Sequence, residues 1–297
     1  MAQKVHDHFA KQYLAYILDD KGKFGKSHEI SDTSLQVDLI FTPNNAEDMQ
    51  ALGLLGQIAS RFCVLEVFWG QPKKTAIRTC LTKLFLTHNE LHNEARTEKK
   101  SLKEEELPHL WILTTSASQA LLNGCHATAK LSPWCEGFYF FGDVQKTAII
   151  AINQLPKKPE TLWLRLLGQG KIRQQAIDEL MALPEDNILR APVLKLIYNY
   201  LKTIEGQSKT NPEEKELIME LSPAYYQWEK ETIEKAHKEG RKEGIRTSLE
   251  SLFKIRFGGI DKALAPIIEP LLQLPSDESL RLVLQSSRED LLAKFVA

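Results

Sequence analysis

No stretch of the sequence approaches the ~18 to 20 consecutive apolar residues that a membrane-spanning helix needs, so a helical membrane protein is not expected. The segment Met1 to Leu18 mixes Lys4, His6, Asp7, His8 and Lys11 with its apolar residues and lacks the uninterrupted apolar core of a signal peptide. Without an export signal or a span, a cytoplasmic location is expected. Cysteine is scarce: Cys63, Cys80, Cys125 and Cys135 show no paired spacing, which argues against a disulfide framework and for reduced, packed thiols. Cys125-His126 with Cys135 has no fourth ligand at a zinc-site spacing, so ordinary packing is the preferred reading. Charge of one sign is also lacking. With 38 Lys and Arg against 39 Asp and Glu, no global basic field points to nucleic acid, and only a local patch could serve that purpose.

An apolar fraction of 43% and a charged fraction of 26% are ordinary for a folded globular chain, and 297 residues suit one or two cores; two are expected. From Lys4 to Leu18, Val5, Phe9, Tyr13, Tyr16 and Ile17 recur with the spacing of one helical face. Leu35, Val37, Leu39 and Phe41 alternate with Gln36 and Asp38, which predicts a strand with one polar face, ended by Pro43-Asn44-Asn45. Ala46 to Ser60 reads as a helix. Phe62 to Trp69 is a near-continuous apolar run interrupted only by Glu66, the signature of a strand buried on both faces. Thr75 to Arg96 has helical spacing, Thr97 to Glu106 is a charged, solvated loop or frayed helix end, and Leu110 to Leu113, Phe138 to Phe141 and Thr147 to Ile152 are further strand candidates. Pro156-Lys157-Lys158-Pro159 breaks both periodicities, and beyond it the pattern is helical. The expected organisation is a mixed-sheet domain over 1–155, a helical extension over 156–222, a charged linking helix over 223–245 and a small helical domain over 246–297.

Two acidic residues stand where folding alone would not put them. Burying an unpaired Glu66 carboxylate would cost several kcal/mol, so something must compensate it. Asp38 interrupts the preceding strand, and Glu29 in Ser27-His28-Glu29-Ile30 precedes that strand by one hairpin. Three carboxylates converging from neighbouring strands would make the hard-oxygen environment that Mg²⁺ favours. The competing reading pairs Glu66 with Arg78 or Lys83 of the next helix and leaves Asp38 simply exposed.

A helix, a hairpin strand with Glu29, Asp38 after it and Glu66 on a central strand resemble the order of the PD-(D/E)XK nucleases. The stretch Leu54 to Gln154, with Arg78-Thr79-Cys80-Leu81-Thr82-Lys83-Leu84, Leu110-Trp111-Ile112-Leu113-Thr114 and Thr147-Ala148-Ile149-Ile150-Ala151-Ile152, is similar to bacterial proteins allied to the recombination-promoting nuclease and putative transposase group. Thr161-Leu162-Trp163-Leu164-Arg165-Leu166-Leu167-Gly168 and Leu183-Pro184-Glu185-Asp186-Asn187 continue the likeness. Arg256-Phe257-Gly258 with Ile268-Glu269-Pro270-Leu271-Leu272 resembles the small C-terminal domain of unknown function that many of those proteins carry. The resemblance implies a restriction-endonuclease-like mixed sheet flanked by helices, followed by an all-helical C-terminal region.

It also implies a metal-dependent DNA endonuclease of recombination or mobile-element biology, with Glu29, Asp38 and Glu66 as Mg²⁺ ligands. The family pattern places a lysine, or sometimes a glutamine, two residues after the central acid, and here that position is Phe68. A phenyl ring can neither orient an attacking water nor balance phosphate charge. Lys73, Lys74, Arg78 or Lys83 would have to supply the cation, with Arg78 favoured if the helix packs over the strand. The alternative is a non-catalytic scaffold that keeps the nuclease fold and forms a homo-oligomer, or binds a protein partner, through its C-terminal helices. His88 and His92 lack the glutamate of a zinc-protease motif, because Asn89 follows His88. Tyr225, Tyr226 and Trp228 read as a packing staple rather than a base-stacking platform.

Overall fold

The computed structural model describes residues 2–25, 38–205 and 212–295. The chain divides into two compact units, Met1–Ser222 and Pro223–Ala297. In the first, α1 (Ala2–Leu18) leads through β1 (Gly22–Phe24), β2 (Leu39–Pro43), α2 (Gly53–Ala59) and β3 (Cys63–Phe68) to α3 (Lys74–Thr97). There follow β4 (His109–Thr114), α4 (Gln119–Gly124), β5 (Thr128–Ala129), β6 (Phe138–Phe140) and β7 (Thr147–Ala151). The helices α5 (Leu162–Arg165), α6 (Gly170–Met181) and α7 (Arg190–Glu205) close it.

The strands form one seven-stranded mixed sheet in the order β1-β2-β3-β4-β7-β6-β5. The β1-β2-β3 and β7-β6-β5 ladders are antiparallel, and β3, β4 and β7 run parallel at the centre. Central parallel strands are covered on both faces, and their sequences are accordingly apolar throughout: every residue of β7 is buried. On one face Val64, Ile112 and Ile149 pack with Ile77, Cys80 and Leu84 of α3 and with Leu121 and Leu122 of α4. The other face receives α1, through Phe9, Tyr13, Leu14 and Ile17, together with α2 and α5.

Several sequence expectations shift at their edges. Leu35 to Val37 and Glu29 lie outside the described residues, and the described part of the strand starts at Leu39, with Asp38 in a bend just before it. The helix expected over Ala46 to Ser60 is split into a 3₁₀ turn, Glu47–Leu52, and α2. The break falls at Gly53, whose φ of +55° suits glycine and where a Cβ would stand 2.4 Å from the Glu160 carbonyl oxygen. The short strands β1 and β5 and the helix α4 carry too few periodic residues to be read from the sequence.

The helical extension packs on the sheet domain rather than beside it. The Tyr13 hydroxyl donates to the Trp163 carbonyl at 2.6 Å, and the Trp163 indole N–H donates to the Ala51 carbonyl at 3.2 Å. Arg165 is fully buried and is satisfied by Glu179 at 3.0 and 2.5 Å, by the Thr161 hydroxyl at 2.8 Å and by the Lys158 carbonyl at 3.0 Å. A bidentate arginine–carboxylate fork is the strong form of this bond.

The second unit takes its core from the last turns of α8 (Pro212–Phe257) and from α9 (Ile268–Leu272), α10 (Ser276–Gln285) and α11 (Arg288–Phe295). Leu249, Phe253, Leu264, Ile267, Ile268, Leu271, Val283 and Leu291 form it. The helix α8 stops where Gly258 takes a φ of +78°. Among the described residues no helix is long and apolar enough to cross a membrane.

Because removing one partner of a buried pair strands the other charge, Glu179→Ala should lower the unfolding free energy by about 3 kcal/mol. Urea denaturation measures it, and a loss under about 0.5 kcal/mol, the ordinary surface value, would contradict the account.

Candidate active site

The antiparallel register of β2 and β3 pairs Leu39 with Leu65, Ile40 with Val64 and Phe41 with Cys63. Continued by one residue, it sets Asp38 opposite Glu66. Asp38 itself stands in a bend at the end of that ladder, and backbone-to-side-chain hydrogen bonds, not a further strand pair, bring its carboxylate beside Glu66. The Asp38 N–H points to Glu66 Oε1 at 3.4 Å, and the Val67 N–H donates to Asp38 Oδ2 at 3.0 Å.

Each carboxylate has a lysine. Lys83, from α3, donates to Glu66 Oε1 at 2.8 Å and to Oε2 at 3.1 Å. Lys11, from α1, reaches Asp38 Oδ1 at 2.7 Å. The two pairs differ in solvation: the side chains of Glu66 and Lys83 are 4% and 10% exposed, those of Asp38 and Lys11 19% and 42%. Of the cations named from the sequence, Lys83 holds Glu66, while Arg78 lies exposed on the same helix. Phe68 occupies the position two residues after Glu66 and packs against the apolar cluster beneath α3.

Negative charge is crowded here. Burial, and then the neighbouring Asp38 charge, push the Glu66 carboxyl above its ordinary range despite the opposing effect of Lys83. Burial and Asp38 likewise raise Asp7, one helical turn before Lys11. Burial would pull the Lys11 ammonium down, but its hydrogen bond to Asp38 and the charges of Asp38, Asp7 and Glu66 leave it raised. The Cys80 thiol, also beside Glu66, is pushed up to about 12 by burial and then by the Glu66 charge.

Among the described residues no three His, Cys, Asp or Glu side chains converge as a metal site, and Glu29 is outside them. The donor set that remains, two carboxylates, is nevertheless within what Mg²⁺ uses, since that ion is usually held by one or two carboxylates, with waters and substrate phosphates filling its shell. Next to this centre, Trp69 at the end of β3 is stacked by the His6 ring at 3.5 Å and by the Arg173 guanidinium at 4.7 Å. Burial, and then the Arg173 charge, lower the His6 pKa to about 3, so its ring is neutral near pH 7.

Sequence reasoning missed Lys11, Asp7, His6 and Arg173. Their places depend on how α1 and α6 dock on the sheet, and nothing local in the sequence distinguishes Lys11 from other helix-surface lysines. Comparison with protein-family models, with curated proteins and with solved structures finds no match for the chain.

A carboxyl whose folded pKa lies above its unfolded value stabilises the fold fully below the unfolded pKa, and that stability fades as pH rises through the folded pKa. Asp38→Asn removes the repelling charge but keeps an acceptor for the Val67 N–H. The Glu66 midpoint, followed by carbon-13 NMR of its carboxyl, should therefore fall toward the ordinary value of 4.5. An unchanged midpoint would show that Asp38 does not act on Glu66.

Proposed function

We propose that the first unit is a PD-(D/E)XK-type nuclease domain, a magnesium-dependent endonuclease acting on DNA, with Asp38 and Glu66 as the metal ligands. One observation carries this reading: the Asp38 and Glu66 carboxylates lie close together at the end of the β2–β3 ladder, and a lysine reaches the buried one. The element order α1-β1-β2-α2-β3-α3-β4 supports it: apart from α2, inserted between β2 and β3, it is the order expected of that fold, with an antiparallel β1-β2-β3 ladder joined in parallel to β4. In this reading Lys83 takes the role that the pattern gives to a lysine at position 68. Its ammonium comes to the acid from the helix instead of along the strand, orients the attacking water and balances phosphate charge. Arg78, exposed on α3, serves as an outer phosphate contact, and Glu29 as an auxiliary ligand. The bound ion supplies a water of lowered pKa and charge stabilisation at the phosphodiester. Recombination or mobile-element processing is the setting the resemblance suggests.

The internal pairing of both carboxylates favours a second reading. A Glu66 that is 3% exposed and doubly bonded to Lys83 is already neutralised, as it would be in a scaffold that keeps the nuclease fold without cutting. In that reading the C-terminal helices provide self-association or a protein partner, and the exposed Tyr226 and Ile233 on α8 are suited to it.

Supercoiled plasmid with Mg²⁺ or Mn²⁺ separates the two. The nuclease reading expects nicking by the wild-type chain and a loss of about 100-fold or more in Asp38→Ala, Glu66→Ala and Lys83→Ala, the scale of removing a group that stabilises transition-state charge. Equal nicking by all four proteins, or none by any, counts against it. For the scaffold reading, light scattering should give a larger particle for the full chain than for a chain ending at Ser222. Equal subunit numbers would remove the assembly role.

A further inference from the structure

The N-terminal helix is fastened to the rest of the first unit by a buried box of side chains from four elements. His6 of α1 stacks on Trp69, just past β3, with ring centroids 3.5 Å apart and planes 3° from parallel. The Arg173 guanidinium of α6 lies over the same indole at 4.7 Å and over the Tyr200 ring of α7 at 5.0 Å. Arg173 Nη1 donates to the Tyr200 hydroxyl at 3.1 Å, and that hydroxyl is hydrogen-bonded to His6 Nδ1. His6 and Arg173 are each 2% exposed and Tyr200 is 4% exposed.

This chain of bonds has a direction. A guanidinium only donates, so the Tyr200 oxygen already serves as an acceptor, and its own proton is the one available to His6 Nδ1. That nitrogen accepts it only while the imidazole is neutral. Arg173 is also weakly matched: its Nε and Nη2 are buried with no hydrogen-bond partner among the described residues. A proton on His6 would set a second cation beside this guanidinium and break the bond from Tyr200. Asp7, the next residue on α1, does not offset it, because the charges its carboxyl answers to are Asp38 and Lys11. Burial, and then the Arg173 charge, accordingly pull the His6 pKa down to about 3 from its ordinary 6.5.

We propose that this box is an acid-sensitive latch: protonation of His6 releases α1 from Trp69, α6 and α7, and with it withdraws Lys11 from Asp38. Lys11 follows His6 by about one and a half turns of the same helix, so the latch and the contact with Asp38 at 2.7 Å move as one piece. Docked His6 holds its proton more weakly than released His6. The latch is therefore at full strength above pH 6.5 and weakens as pH falls below that value, about tenfold per unit, until the docked ring itself titrates near 3. Asp7 works in the opposite direction, since burial and Asp38 raise its carboxyl, but only as pH enters the carboxylate range. Between pH 7 and pH 5 the effect of His6 dominates. This inference does not depend on the carboxylate centre being catalytic.

Hydrogen exchange of the full chain, read by mass spectrometry at pH 7, 6 and 5, tests it, since protection reports the opening equilibrium of each segment. Peptides of α1 are compared with peptides of β7 in the same sample, so that the pH dependence of intrinsic exchange cancels. Protection of α1 relative to β7 should fall about twentyfold from pH 7 to pH 5. In His6→Asn, which offers Tyr200 a side-chain acceptor but takes up no proton, the ratio should hold nearly constant. If that variant does not fold, the wild-type comparison decides alone. The proposal is overturned by a wild-type ratio that stays constant with pH, including loss of protection from both elements together, or by an equal fall in His6→Asn.

Discussion

A glutamate carboxylate inside an otherwise apolar central strand needs a cation within reach, and in this protein the docking of α3 on the sheet meets that need. Lys83 can reach Glu66 only because α3 lies along the face of β3, and α3 lies there because Ile77, Cys80 and Leu84 pack onto Val64, Ile112 and Ile149. The apolar burial holds the pair within hydrogen-bond distance, and removal of either partner would leave the other uncompensated. Asp38 adds a second negative charge across the strand pair, and Lys11 of α1 answers it. Two helices on opposite faces of one sheet therefore supply the two cations.

The centre of this arrangement was legible in the sequence and its surroundings were not. Glu66 stands out because a charge in the run Phe62 to Trp69 contradicts the periodicity around it, and Asp38 because it breaks an alternating strand. What brings them together is the pair of hydrogen bonds at the end of the β2–β3 ladder, which the sequence does not encode. Lys83 was one of several cations within range, and only helix packing selects it over Arg78, whose position on α3 leaves it in solvent. Phe68 looked like a missing lysine; it fills space against the α3 cluster at the position where the lysine would stand. The places of Lys11, Arg173 and the aromatic cluster of Trp111, Trp134 and Phe140 depend on contacts between segments far apart in the chain, which local pattern does not encode.

The same principle distinguishes the two faces of the sheet. On the α3 face the polar groups of the strands are matched, lysine to carboxylate. On the opposite face, the row through Trp111, Ala148 and Phe140 leaves an indole N–H and an imidazole nitrogen buried without partners among the described residues. The C-terminal unit is different in kind: its core is apolar side chains from short helices, and its ion pairs, such as Lys242 with Glu269, are exposed and worth little each.

The proposed function stands or falls on whether Asp38 and Glu66 together hold one divalent cation with Lys83 beside them. Electron paramagnetic resonance of Mn²⁺ titrated into the full chain tests it most directly. The account predicts a single stoichiometric Mn²⁺ site, displaced by excess Mg²⁺ and lost in both Asp38→Ala and Glu66→Ala. Mn²⁺ that stays free in the presence of the wild-type chain, or binding that either substitution leaves untouched, would contradict it.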